Sequence, residues 1–252
     1  MPDQPTKSRS DSFALACTTL LFLPCMLLAR LASNTRINNI VIHETTVSKR
    51  RLWRSALLHV PGNLILRFRR APVQVLSTRE WVRRSQRLAN ATILNNIVEL
   101  KKLDGVPLCE FLANEKSTQR KLNVISTAMR SLFDFHLQHD ESHGDASAAN
   151  VMIHECPNNE VTATWFDFDI AHRASVPEVA ARADDLRAIL FTSKAWLTDT
   201  EFTRLFQEFD SCYQDEDVWK ELIKTMGSPF QHCDIFHLAQ QSRSKLRVVE
   251  DA

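Results

Sequence analysis

The chain has 252 residues, 44% of them hydrophobic and 24% charged, a globular composition that excludes a disordered protein. Four glycines and nine prolines exclude collagen-like or glycine-repeat architectures, and six scattered cysteines without a C-x-x-C pair give no zinc spacing. The net charge of +1 hides a split: Lys49 to Arg87 carries eleven Lys/Arg against one acid, whereas the chain from Asp134 onward carries ten against twenty-two. A basic front half of this kind suits an anionic partner such as phosphate or a membrane surface, and nucleic acid is not expected.

The first element is a 17-residue uncharged stretch, Phe13 to Ala29. At about 1.5 Å per residue it reaches about 26 Å, short of a hydrocarbon core of roughly 30 Å. It reads as a membrane-associated segment, with a buried helix as the alternative. Residues 38–49 (NNIVIHETTVSK) are rich in β-branched side chains and read as extended. Val73–Leu76 leads into a helix, with Ser77 as N-cap and Glu80 three residues on, as in a capping box. Leu94–Leu103 reads as a second strand, closed by a turn at Asp104-Gly105. From about Ser117 to His139 the apolar residues fall at helical spacing, through Leu122, Ile125, Met129, Leu132 and His136. Short strands at Val151–His154 and Val161–Phe166 follow, and from about Glu178 the chain reads as helical. The expected fold is α+β.

The residues that carry chemistry are HGDASAANVMI at His143–Ile153 and TWFDFDIAH at Thr164–His172. Phosphoryl transfer to a hydroxyl needs a carboxylate to receive a proton and oxygen ligands for a metal that neutralises phosphates. Asp145 and Asn150 flank a tight loop, and Asp167 ends the next strand of a hairpin that folds back beside them. These residues resemble the catalytic loop and the D-F-G of the protein-kinase-like superfamily. VSKRRLW around Lys49 and STREWVRRSQRL around Glu80-Trp81 look closest to the lipopolysaccharide (heptose/Kdo) kinases.

The resemblance implies a two-lobed fold with a small strand-containing lobe at 37–103 and a larger helical lobe at 104–252, after an N-terminal segment at 1–36. It implies an enzyme using ATP and Mg²⁺. Asp145 would receive the proton, and His143 would take part in catalysis or brace the loop. Asn150 and Asp167 would hold the metal. Lys49 would grip the phosphates and Glu80 would pair with it, although Lys49 also sits in a basic run and Glu80 in a capping box. Glu99 and Lys101 lie in the hinge strand whose backbone would hold adenine. Asp185, or its neighbour Asp184, would anchor the catalytic loop.

Three departures stand out. No glycine precedes Gly62, so no glycine-rich phosphate loop is identifiable. The interval from Glu80 to Val98 reads as too tight for a full helix plus a further strand. The third residue of D-F-G is Asp169. With 17 residues between Asp167 and Asp185, the segment looks too short for a peptide platform. The expected acceptor is therefore a lipopolysaccharide core sugar, another lipid-linked sugar or a small alcohol. A protein kinase, an aminoglycoside/choline-type kinase and a pseudokinase scaffold are the alternatives. An ATP-dependent enzyme with an apolar N-terminal stretch is expected in the cytoplasm, at the inner face of the membrane.

Overall fold

The computed structural model describes residues 38–52, 59–60, 62–64, 66–67, 71–95, 97–157, 160–208 and 212–225. The apolar stretch at 13–29 lies outside them. Among the described residues no helix is long and apolar enough to cross a membrane. The chain is mixed α/β, with a sheet-bearing front part followed by a largely helical part.

The β-branched stretch at 38–49 folds as a hairpin of β1 (Asn38–Ile42) and β2 (Thr46–Arg51), with Ile40 opposite Lys49. After β3 (Val73–Val75) comes helix α1 (Thr78–Ala89), and both halves of its capping box are made. Trp81, Arg84, Ser85 and Leu88 are its buried residues, one helical face at i, i+3, i+4, i+7. Asn90, in the left-handed conformation at φ 49°, ends the helix and turns the chain into β4 (Thr92–Leu94). Asn95, also at φ 49°, then leads into β5 (Ile97–Lys101).

The interval from Glu80 to Val98 therefore does hold a full helix and an extra strand. Two asparagines at positive φ make the connections short enough, since Asn adopts this region at little cost. The single strand expected over Leu94–Leu103 is correspondingly the end of β4, a turn, and β5. The sheet order is β1-β2-β5-β4, which sets Lys49 in the centre of the sheet opposite Val98.

The second part runs β6 (Val106–Pro107), α2 (Leu108–Asn114), α3 (Thr118–His139), β7 (Val151–Glu155), β8 (Val161–Trp165), β9 (Ile170–His172), α4 (Glu178–Lys194), α5 (Asp199–Glu208) and α6 (Glu216–Thr225). β6, β7 and β8 form one small sheet, while β9 pairs back with β3. The main core surrounds α3, whose Leu122, Ile125, Met129 and Leu132 pack with Val151 and Ile153 of β7 and with Leu186 and Ile189 of α4. Full burial of such a side chain is worth about 1.5–3 kcal/mol each. A smaller core under the front sheet holds Leu76, Trp81, Ala91 and Val98. Helix α1 belongs to both, through Trp81 in the small core and Leu88 in the large one.

Candidate functional site

The loop between α3 and β7 is fixed from three directions. Gly144 has φ +89°, and a Cβ there would lie 2.7 Å from Ala171 Cα and Ile170 O, so only glycine fits. The Asp185 carboxylate, buried on α4, accepts the backbone N–H of His143 and that of Gly144 at 2.8 Å. His136 of α3 donates to the same carboxylate at 3.0 Å through Nε2, and its Nδ1 accepts from the Tyr213 hydroxyl at 2.8 Å. Burial alone would raise the Asp185 pKa. The His136 hydrogen bond and the nearby histidines outweigh burial and hold it well below the usual carboxylate range.

Arg84 of α1 supplies the third tie. Its guanidinium, 4% exposed, donates to the carbonyls of Ser142 (2.6 Å), His143 (3.0 Å) and Ile170, and pairs with Glu141. One buried side chain thus joins the helix behind Lys49 to both loops that carry the site's carboxylates. His172 completes the frame, with Nδ1 on Ser142 Oγ at 2.8 Å and Nε2 on Asp184 at 3.2 Å.

Within this frame Asp145 Oδ2 accepts from Asn150 Nδ2 at 2.9 Å, and the same nitrogen bonds the Asp145 carbonyl at 2.9 Å. Burial, reinforced by the Asp167 charge, pushes the Asp145 carboxyl up to about 7. His143 is fully buried against the rings of Phe135, Trp165 and Phe168. Its Nε2 donates to Phe166 O at 3.1 Å and its Nδ1 accepts from Asp145 N at 3.3 Å. Burial depresses its pKa to about 3, so the ring stays neutral. Both ring nitrogens of His143 are thus engaged by backbone groups.

Asp167 sits at φ +67° at the end of β8, with its carboxylate on Lys49 Nζ. Lys49 also pairs with Asp169 Oδ2 at 3.0 Å, and burial notwithstanding, the two carboxylates hold its pKa above the ordinary lysine value. The structure thereby brings Lys49, Asp145, Asn150 and Asp167 to one place, with Asp185 behind the loop.

The remaining expected residues lie differently. Glu80 does not pair with Lys49: its carboxylate accepts the Ser77 backbone N–H at 2.9 Å. Helix α1 presents Trp81 to Lys49 instead, with Nζ 5.8 Å from the ring centroid and the Arg51 guanidinium at 4.9 Å. Glu99 lies inside the sheet, opposite Ser48 on one side and Thr92 on the other. Lys101 is exposed at the end of β5, where Lys102 N–H already bonds Thr45 O at 2.9 Å.

Two residues escaped the sequence reading. Asp169 stands out in the sequence as the residue in the glycine's place, and Arg84 is one of the eleven Lys/Arg between Lys49 and Arg87. The signal for Arg84 was its place in the apolar stripe, three residues after Trp81 and four before Leu88.

The pair Asp167 and Asn150 suits Mg²⁺ in kind: a carboxylate and a carboxamide, both hard oxygen ligands. Asp145 and Asp169 both have raised pKa values, each in part from the charge of Asp167, and a divalent cation would relieve this surplus of negative charge. No group of three or more His, Cys, Asp or Glu able to cage a metal occurs among the described residues.

No family model matches the chain, and no curated protein matches it. Among solved structures the chain is similar to the bifunctional kinase-methyltransferase WbdD, with 17% identity and a TM-score of 0.39 over 78% of this chain and 48% of that one. The chain thus spans about half the length of that protein. An overlap this loose adds nothing to the geometry above.

Proposed function

We propose that the chain is a two-lobed, protein-kinase-like phosphotransferase that passes the γ-phosphate of ATP to a hydroxyl. The front sheet and α1 (37–103) form the nucleotide lobe, and the helical part (104–252) carries the acceptor side. The observation that supports this reading is the convergence of Asp145, Asn150 and Asp167 beside a buried lysine.

Asp145 takes the proton of the attacking hydroxyl. Its Oδ2 is held by Asn150, which leaves Oδ1 to receive the proton, and a carboxyl pushed up to about 7 is part ionised and more basic than an ordinary carboxylate at neutral pH. Lys49 leaves Asp167 to bind the nucleotide phosphates. Asp167 and the Oδ1 of Asn150 would hold Mg²⁺, which when bound supplies charge neutralisation across the phosphates. Asp167 stands at φ +67° with a carboxylate that is 39% exposed, open to such a ligand.

The acceptor is a sugar, a lipid-linked sugar such as a lipopolysaccharide core unit, or a small alcohol. The short interval after Asp167 is taken up by β9, by Arg173 N–H bonded to Pro72 O at 2.9 Å, and by the start of α4 at Glu178. Little chain is left to dock an extended peptide. Use of ATP places the enzyme in the cytoplasm, with residues 13–29 meeting the inner face of the membrane. Nucleotide affinity measured against Mg²⁺ concentration tests the assignment. Asp167→Ala is expected to abolish the Mg²⁺-dependent gain in ATP affinity while sparing metal-free binding. The same Mg²⁺ dependence in wild type and variant would overturn it.

A further inference from the structure

We infer that Asp169, and not Glu80, is the carboxylate that positions Lys49 for the nucleotide phosphates. The inference rests on the phosphotransferase reading and deepens it.

Lys49 stands in mid-strand with 8% of its surface exposed. A buried ammonium needs a permanent counter-charge, because stranding it unpaired costs several kcal/mol. Three groups surround it: Asp167, Asp169 and the face of Trp81. Asp167 is the more exposed of the two carboxylates, 39% against 21%, and it is the one required at the metal. Once Asp167 turns to that task, Asp169 is the carboxylate left beside Lys49.

Asp169 is built to stay. Its Oδ2 accepts from Asn38 Nδ2 of β1 at 3.0 Å as well as from Lys49, and its Oδ1 lies 4.0 Å from the Arg51 guanidinium. Its backbone carbonyl accepts the Leu76 N–H at 3.0 Å, at the entrance to α1. These contacts fix it to β1, to β2 and to the approach of the helix at once. Positive φ is confined, in this stretch, to Asp167, so a side chain at 169 carries no backbone strain. Glu80, by contrast, is committed to its own N-cap. The substitution that removes glycine from the D-F-G pattern thus supplies the charge that the helix glutamate does not.

The test is a pair of double-mutant cycles on the full chain, read as the affinity for a fluorescent ATP analogue with Mg²⁺ and as KM and kcat. Asp169→Asn is expected to weaken nucleotide affinity about tenfold, with KM rising more than kcat falls. In a Lys49→Met background the same change is expected to have no further effect, because Asp169 acts through Lys49. Asp169→Glu is expected to recover part of the loss, and circular dichroism guards against misfolding. Additive effects of Asp169 and Lys49, or coupling of Lys49 to Glu80 in a Glu80→Gln cycle, would overturn the inference while leaving the phosphotransferase reading intact. A wild-type protein that binds no Mg-nucleotide would remove both.

Discussion

Replacing Asp145 by asparagine is expected to stabilise the protein while removing the proposed proton acceptor. Asparagine keeps the shape and can still accept from Asn150 Nδ2, so the change removes little but charge. That charge is unfavourable in the folded state, where burial and then Asp167 raise the carboxyl from 3.8 to about 7. A carboxyl whose folded pKa exceeds its unfolded one favours folding only while protonated. The penalty is absent below about pH 4, grows as the unfolded carboxyl ionises, and is complete above about pH 7. At about 1.4 kcal/mol per pKa unit, the variant gains roughly 2 kcal/mol at pH 5 and roughly 4 kcal/mol at pH 8. For a chain of this size that corresponds to a rise in Tm of roughly 10 °C at pH 8 and about half of it at pH 5. Thermal unfolding of both proteins in EDTA at the two pH values measures the difference. A variant less stable than wild type at pH 8, or a gain that does not change with pH, would refute the electrostatic reasoning.

Gly144→Ala forces a Cβ against the backbone of Ile170 and Ala171 at a positive φ. It is expected to cost about 2–4 kcal/mol and to abolish turnover, read by urea unfolding and ATP consumption. Asp185→Asn leaves His136 and two loop N–H groups with a weaker acceptor. A loss of about 3 kcal/mol is expected above pH 4, shrinking as acid protonates the wild-type carboxylate, and a pH series of unfolding curves checks it. Full-length protein is expected in the membrane pellet after cell fractionation, and a chain lacking residues 1–32 in the supernatant.

The candidate site was legible because its residues are compressed into local spacing. His143, Asp145 and Asn150 share one loop, and Asp167 follows one hairpin later, so proximity in sequence became proximity in space. The α3 and α1 helices were equally legible, since a hydrophobic face and a capping box are local signals. The front half was harder for a physical reason. Whether Lys49 meets Glu80, 31 positions on, or Asp169, 120 positions on, is decided by side-chain direction, and a capping box competes for the same glutamate. Pairing of β3 with β9 is likewise a long-range contact without a local signature. Asn90 and Asn95 did carry a signal, as residues tolerant of positive φ, and reading them as turns would have separated β4 from β5.

Conversion of ATP to ADP, followed at neutral pH with wild type and Asp145→Asn side by side, bears most directly on the proposed activity. Slow transfer to water in the wild type, and faster transfer to the hydroxyl of an added sugar or lipid-linked sugar, are expected to depend on Mg²⁺. The variant is expected to bind Mg-ATP with unchanged affinity but to turn over on the order of 10²–10⁴ times more slowly. Equal turnover in the two proteins, or none in either despite tight Mg-ATP binding, would contradict the account.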